Sequence, residues 1–239
     1  MAAQRLDKII ASMGRWSRRE VKDLIRQGRV TVDGVPARSA EEKADPEQAV
    51  IAVNGELLNW RRYTWVMLNK PAGYLSATED GRGATVLDLL PQDLQRQGLF
   101  PVGRLDKDTE GLLLLTNDGN LAHRLLSPKK HVDKTYYARI DGKVVAEDQE
   151  AFLQGVDIGD ETKTLPAKLE ILEGADVSEI LLTIHEGRFH QVKRMFQARG
   201  KQVIYLKRMT MGPLVLGEDL PKGVYRELRE DERKALGIH

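Results

Sequence analysis

The stretch from Val102 to Gly119, VGRLDKDTEGLLLLTNDG, limits the possible folds of this 239-residue chain more than any other feature. Its centre, Leu112–Thr116, is an apolar run long enough for a buried strand and too short to span a membrane. Turn-forming residues end the run, and a glycine at position 111 permits a bend before it. Residues of both charge signs surround Leu105, namely Arg104, Asp106, Lys107, Asp108 and Glu110. A buried strand does not require such a preface, so the pattern predicts a rigid strand that presents a charged loop.

The cysteine content and the charge distribution narrow the class of protein. The chain has no cysteine, which excludes disulfides and thiolate metal sites and suits a reducing compartment. It shows no N-terminal signal core and no apolar segment approaching ~18 residues, so we expect a soluble, cytoplasmic protein. The net charge is only +1, but Arg5–Arg29 holds eight basic and three acidic residues, and His185–Arg208 holds seven basic and one acidic. Val145–Ile180 holds two basic and ten acidic residues. Two basic regions favour an anionic partner, although either could be a solvated helix face.

The N-terminal segment predicts a compact unit of two helices and short strands. Apolar residues at positions 6, 9, 10 and 13 have the spacing of one helical face. Ser17–Glu20 has the sequence of a capping box and predicts the start of a second helix. Turn sequences at Asp33-Gly34 and Asn54-Gly55 then predict two hairpins.

The remainder of the chain predicts a different architecture. From residue 63 onward, predicted strands dominate, and they do not alternate regularly with long helices. This pattern favours an α+β fold with a mixed, mostly antiparallel sheet over a doubly wound fold. We place a linker at 59–63 and expect an RNA-binding domain over residues 1–60 and a catalytic domain over residues 61–239.

The function prediction starts from the central motif. The string GRLDKDTEGLLLLTNDG closely resembles the catalytic motif of RNA pseudouridine synthases, and this resemblance implies that Asp106 is the catalytic residue. Taken alone, an Asp in a loop is more often a turn former or a solvated charge. The string LNKPAG at 68–73 resembles a turn of the same family, and we assign it a structural role.

Two further strings extend the resemblance to the family. KTYY implies that Tyr136 stacks on the target uracil, although a Tyr on a strand is more often a core residue. EGRFHQVKRM resembles the family's third motif, whose basic residue pairs with the catalytic Asp. That position is Lys193 here instead of the usual Arg, and the neighbouring Arg194 remains an alternative partner. We expect these motifs to supply RNA contacts from Arg104, Lys134, Arg188, His190, Gln191 and Arg194, although a solvated helix start is an equal alternative for the residues at 188–191.

The N-terminal unit resembles the αL RNA-binding motif. RLDKIIA and SRREVKDLIRQGRVTVDG carry this resemblance, which spans about residues 5–53 and implies binding to structured RNA. A short helix with several exposed cations can follow a phosphate backbone. The expected RNA-binding residues here are Arg5, Lys8, Arg18, Arg19, Lys22, Arg26 and Arg29.

Together these motifs imply a two-domain rRNA pseudouridine synthase of the small-subunit branch. The reaction breaks the N-glycosidic bond, turns the base and joins C5 to C1′, so it needs a carboxylate beside the sugar but no redox cofactor, nucleotide or metal. A large-subunit rRNA synthase and a non-catalytic ribosome-assembly factor of the same fold remain alternatives. A weaker alternative is a metal-dependent nuclease that uses Asp106, Asp108 and Glu110.

Overall fold

A computed structural model describes residues 2–127 and 132–238, and the chain divides into two compact units. The first unit contains the residues up to Thr64 together with Leu90–Leu99. The second contains Trp65–Leu89 and the residues from Phe100 onward. The inclusion of Leu90–Leu99 in the first unit is a feature that the sequence did not predict.

The first unit consists of short elements around one small apolar core. Its elements are β1 (Gln4–Arg5), α1 (Leu6–Ala11), α2 (Arg18–Arg26), β2 (Val30–Val32), β3 (Val35–Pro36), β4 (Lys43–Ala44), β5 (Ile51–Val53), β6 (Glu56–Leu57) and α3 (Gln92–Gln95). Strands β3, β2, β5 and β6 form one sheet in that order, and β1 pairs with β4. The predicted capping box is present, because Glu20 N donates to Ser17 Oγ and Ser17 N donates to Glu20 Oε2. Both predicted hairpin turns form, with positive φ at Asp33-Gly34 and at Asn54-Gly55.

The second unit is built on one large sheet. Its elements are β7 (Trp65–Lys70), a 3-10 helix (Val86–Leu89), β8 (Phe100–Pro101), β9 (Glu110–Thr116), α4 (Gly119–Leu126), β10 (Lys134–Asp141), α5 (Ala146–Gln154), β11 (Lys168–Glu173), β12 (Val177–Ile184), α6 (Gln191–Gln197), β13 (Gln202–Met211), β14 (Leu214–Val215), β15 (Tyr225–Glu227) and α7 (Glu230–Ala235). The strand order is β11-β12-β10-β13-β9-β7-β15, with β14 on β13 and β8 on β9. Only the β13–β9 pairing of this sheet is parallel among the described residues, so the predicted mixed, mostly antiparallel α+β fold is confirmed.

Strand β9 is the central element of this sheet, as its apolar run predicts. Leu112–Leu115 are fully buried, because the strand lies between β13 and β7 and both faces are covered. Gly111 opens the strand with φ +102°, and a Cβ there would lie 2.2 Å from the carbonyl oxygen of Arg208. Only glycine therefore allows β9 to approach β13 this closely. The charged loop is thus fixed at the edge of a buried strand.

In the parts of the chain that the structure describes, no helix is long and apolar enough to cross a membrane.

Candidate active site

A cavity of about 70 Å³ lies where the loop 102–109, strand β10 and the start of helix α6 meet. It is lined by side chains from all three of the motifs that the sequence singled out, including Arg104, Asp106, Tyr136, His190 and Lys193. These residues are far apart in sequence, and the sheet brings them together because β10 and β13 lie next to β9.

Asp106 has two cationic or potentially cationic neighbours. Lys193 Nζ lies 3.0 Å from Asp106 Oδ2, and His190 Nε2 lies 3.6 Å from Asp106 Oδ1. Lys193 also donates to Asp108 Oδ1 at 2.6 Å. Burial acts to lower the pKa of Lys193, but the hydrogen bonds to Asp108 and Asp106 outweigh it and raise that pKa. Burial acts to raise the pKa of Asp108, and the hydrogen bond from Lys193 outweighs it and lowers that pKa. The site therefore keeps an ammonium between two carboxylates.

The backbone of the Asp106 loop is held by a buried lysine. Lys70 is fully buried, and its ammonium donates to the carbonyl oxygens of Asp106 at 3.1 Å, Lys107 at 3.2 Å and Thr109 at 2.8 Å. Burial lowers the pKa of Lys70 to about 8, although nearby carboxylates oppose this shift. A second anchor is Ser76, whose Oγ accepts from Leu105 N and donates to Leu105 O.

Sequence reasoning did not include Lys70 or Ser76 among the site residues. The one available signal for Lys70 was a lysine at the end of an apolar strand, in the string LNKPAG. That string was assigned a turn, and the inward direction of its lysine depends on how β7 pairs with β9.

The turn into α6 orients the third motif. His190 has a left-handed backbone conformation, φ +49°, and its ring stacks on Phe189 with centroids 3.8 Å apart. The buried Gln191 closes the turn, because its Oε1 accepts from Arg188 N and its Nε2 donates to Glu186 Oε1. Gln191 therefore stabilises the turn through protein groups.

The two arginines of this motif bind a neighbouring loop. Arg188 donates to the carbonyl oxygens of Thr162 at 2.6 Å and Lys163 at 2.8 Å, and Arg194 pairs with Asp160. Arg188 still lines the cavity, whereas Arg194 is directed to the loop 158–163. Of the two candidates for the partner of Asp106, it is Lys193 that lies against the carboxylate.

The other predicted site residues of this unit lie on β10. Tyr136 is 7% exposed and lines the cavity, opposite Leu182 on β12 and Arg208 on β13. Lys134 lies two residues earlier on the same face, and its ammonium is directed to the carbonyl oxygen of Val132 at 2.9 Å. Tyr136 thus forms a wall of the cavity that contains Asp106.

The three carboxylates of the nuclease alternative do not converge. Asp106 and Asp108 share Lys193, whereas Glu110 accepts from Tyr205 at 2.8 Å and pairs with Lys222 at 2.8 Å. Within residues 2–127 and 132–238, no group of three or more His, Asp or Glu side chains is placed to hold a metal ion.

In the first unit, the predicted RNA-binding cations fall into two groups. Arg5 and Arg18 bind the fully buried Asp7 at 3.0 and 2.9 Å, and Arg26 pairs with Asp23 at 2.6 Å. The other four are exposed on the surface, at Lys8, Arg19, Lys22 and Arg29. The sequence could not distinguish the two groups, because the partner Asp7 lies within the predicted helix.

Comparisons with known proteins agree on both parts of the chain. The family model described as RNA pseudouridylate synthase matches residues 64–198, and that of the S4 domain matches residues 4–50. An uncharacterised RNA pseudouridine synthase of Bacillus subtilis is 50% identical, over 97% of this chain and 98% of the relative. The ribosomal small subunit pseudouridine synthase A of Escherichia coli is 42% identical, over 95% of this chain and 97% of the relative. A crystal structure of a pseudouridylate synthase, 39% identical, superposes with a TM-score of 0.69 over 97% of this chain and 99% of the other.

Proposed function

Because the chain belongs to the RNA pseudouridylate synthase family and carries an S4 domain, we propose that it isomerises a specific uridine of small-subunit rRNA to pseudouridine. The subunit assignment is supported by relatives in Escherichia coli and Vibrio cholerae, which are named ribosomal small subunit pseudouridine synthase A. They are 42% and 41% identical to this chain over 95% of its length.

The observation that carries the proposed chemistry is the carboxylate of Asp106, held 3.0 Å from Lys193 in a cavity with Tyr136 as one wall. The reaction breaks the bond between C1′ and N1, and forms a bond between C1′ and C5. The proton on C5 is lost and N1 gains one, so atoms and electrons balance without an oxidant. A carboxylate beside C1′ can act on the sugar while positive charge develops there.

The neighbouring residues have distinct proposed roles. Lys193 keeps Asp106 ionised and oriented, and Tyr136 offers its ring to the uracil that has left its stack. Arg104, His190 and Arg188 line the same cavity and are proposed to contact the flanking RNA. Gln191 and Arg194 act through the protein, because they bind the turn before α6 and the loop 158–163.

The N-terminal part is proposed to bind rRNA and place it. We propose that residues 1–60 form this RNA-binding domain and residues 61–239 the catalytic domain. The exposed cations Lys8, Arg19, Lys22 and Arg29 support this assignment, because cations tracking phosphates supply most of the sequence-independent affinity for a nucleic acid.

Tritium release provides the test. Purified protein is incubated with small-subunit or large-subunit rRNA that contains uridine tritiated at C5, and label released to water is counted. Release of about one equivalent from small-subunit rRNA alone supports the proposal. Release from large-subunit rRNA would favour that alternative substrate, and release from neither would contradict the proposed activity.

A further inference from the structure

A second cavity, of about 180 Å³, lies beside the first and shares Arg104, Tyr136 and Gly187 with it. A water molecule occupies about 30 Å³ in the liquid, so this space can hold a group larger than one water. Two cationic side chains that the proposed chemistry does not use as reactants, Lys134 and Arg208, form part of its lining. The cavity is therefore both adjacent to Asp106 and positively charged.

Arg208 is a buried guanidinium with unused donors. It is 2% exposed, and its Nε donates to the carbonyl oxygen of Leu112 at 2.7 Å. Its Nη2 is buried without a hydrogen-bond partner among the described residues. No carboxylate in the described ranges forms an ion pair with it at 4 Å or less. A buried cation is costly unless an anion compensates its charge, so this arrangement calls for a negatively charged occupant.

Lys134 adds a second positive charge to the same wall. It is 8% exposed, and its Nζ donates to Val132 O, which leaves further donor capacity on the ammonium. Burial lowers the pKa of Lys134, and the positive charge of Arg208 lowers it further. Each of these cations therefore makes the other less stable while the cavity holds no anion.

The acidic groups at this cavity are already engaged elsewhere. Glu186 Oε2 accepts from Arg188 Nε at 3.0 Å, and Glu186 Oε1 accepts from Leu165 N and from Gln191 Nε2, both at 2.9 Å. Asp133 contacts His185 Nδ1 at 2.7 Å. Neither carboxylate can neutralise Arg208 without breaking these contacts.

We propose that this second cavity binds a phosphate group of the substrate RNA next to the target uridine, through Arg208 and Lys134. The proposal rests on the proposed function, because the cavity shares a wall with the pocket that would receive the uridine. A phosphate supplies both the negative charge and several acceptor oxygens for the free guanidinium and ammonium donors. A neutral base would leave both buried charges uncompensated.

Binding of mononucleotides to the full-length protein tests the phosphate site without turnover. Dissociation constants are measured for uridine, uridine 5′-monophosphate and uridine 3′-monophosphate. We expect one monophosphate to bind roughly tenfold more tightly than uridine, as a charge-assisted hydrogen bond would give. In ¹⁵N-labelled protein, the Arg208 Nε–H signal, assigned by its loss in Arg208→Lys, should shift with that monophosphate and not with uridine.

Matched variants localise the effect. Lys134→Gln should reduce the preference to roughly threefold or less, whereas Lys134→Arg should keep it. Lys143→Gln removes one exposed lysine of the same unit and should also keep it. If Lys134→Gln does not fold, the wild-type affinities and the Arg208 signal decide alone.

The two proposals fail in different ways. Equal binding of uridine and both monophosphates would overturn the phosphate site even if rRNA is isomerised. An unmoved Arg208 signal, or equal losses in Lys134→Gln and Lys143→Gln, would overturn it as well. Absence of isomerisation in every rRNA, with the preference and the Arg208 shift both present, would contradict the proposed function and leave the phosphate site supported.

Discussion

Lys193 Nζ lies 3.0 Å from Oδ2 of Asp106 and thereby ties helix α6 to the loop before β9. The same ammonium donates to Asp108 at 2.6 Å, so one cation orients two carboxylates. Lys193 is about a quarter exposed, which limits screening of the pair by solvent without removing it. The predictions below follow from this pair and from the groups that hold it.

Replacing Asp106 by Asn should remove the chemistry and retain RNA binding. Asparagine has nearly the same shape but no negative charge, so the group that acts at C1′ is lost while phosphate contacts remain. We expect turnover to fall on the order of a thousandfold or more, with little change in the rRNA dissociation constant. Tritium release and filter binding measure the two quantities. Near-normal turnover by the Asn variant would reject Asp106 as the catalytic carboxylate.

Lys193→Met should differ in kind from Arg194→Met. Loss of the Lys193 ammonium leaves Asp106 and Asp108 without their shared cation, and we expect kcat to fall roughly a hundredfold. The pKa of Asp108, held down by Lys193, should rise, because the burial that opposes Lys193 would then act alone among the two. Carboxyl-carbon NMR measures that pKa.

Arg194→Met serves as the control for that pair. Arg194 binds Asp160 and the carbonyl oxygen of Ile158, so its loss should lower the melting temperature and leave the titration of Asp108 in place. If Arg194→Met shifts the Asp108 titration and Lys193→Met does not, the assignment of the ion pair is wrong.

Lys70 predicts a pH dependence of stability. Burial lowers its pKa from 10.5 to about 8, so between these values the unfolded chain binds more protons than the folded chain. Stability contributed through this group therefore increases as the pH rises from about 8 to about 10.5, and is constant below about 8. The difference in unfolding free energy between wild type and Lys70→Met should rise in this window, by at most ~1.4 kcal/mol per pH unit. Denaturant titrations at several pH values measure it, and a flat or falling difference would contradict the buried state of Lys70.

The exposed cations of the first unit predict a change in the salt dependence of rRNA binding. The triple variant Arg19→Gln, Lys22→Gln and Arg29→Gln should reduce the slope of log K against log salt by roughly two to three, because each lost phosphate contact releases fewer counterions. The matched control changes three exposed lysines of the second unit to Gln, at Lys143, Lys163 and Lys168. An equal reduction in both variants would remove the reason to assign rRNA binding to the N-terminal domain.

The elements that sequence predicts well here depend on local chemistry. The buried strand β9 follows from its unbroken leucines, the start of α2 from the Ser17–Glu20 capping box, and the hairpin turns from Asp33-Gly34 and Asn54-Gly55. In each case the residues that determine the structure are within a few positions of one another, so no tertiary information is needed.

The features that sequence did not reveal depend on distant partners. Lys70 and Arg208 are buried cations, and their partners are backbone carbonyls that other strands bring to them. Arg194 reads as a surface cation of a basic helix, but its partner Asp160 lies 34 residues earlier in the acidic stretch. A residue type and its local pattern cannot identify such a partner, because only the sheet order brings the two together.

Site-resolved pseudouridine mapping of total rRNA is the most direct test of the central claim. Cells that lack this protein are compared with cells that carry the wild-type chain or the Asp106→Asn variant. The proposed function predicts that one small-subunit uridine is unmodified without the protein, is modified with the wild-type chain and stays unmodified with Asp106→Asn. A site that is lost from large-subunit rRNA instead, or a small-subunit site restored by Asp106→Asn, would contradict it.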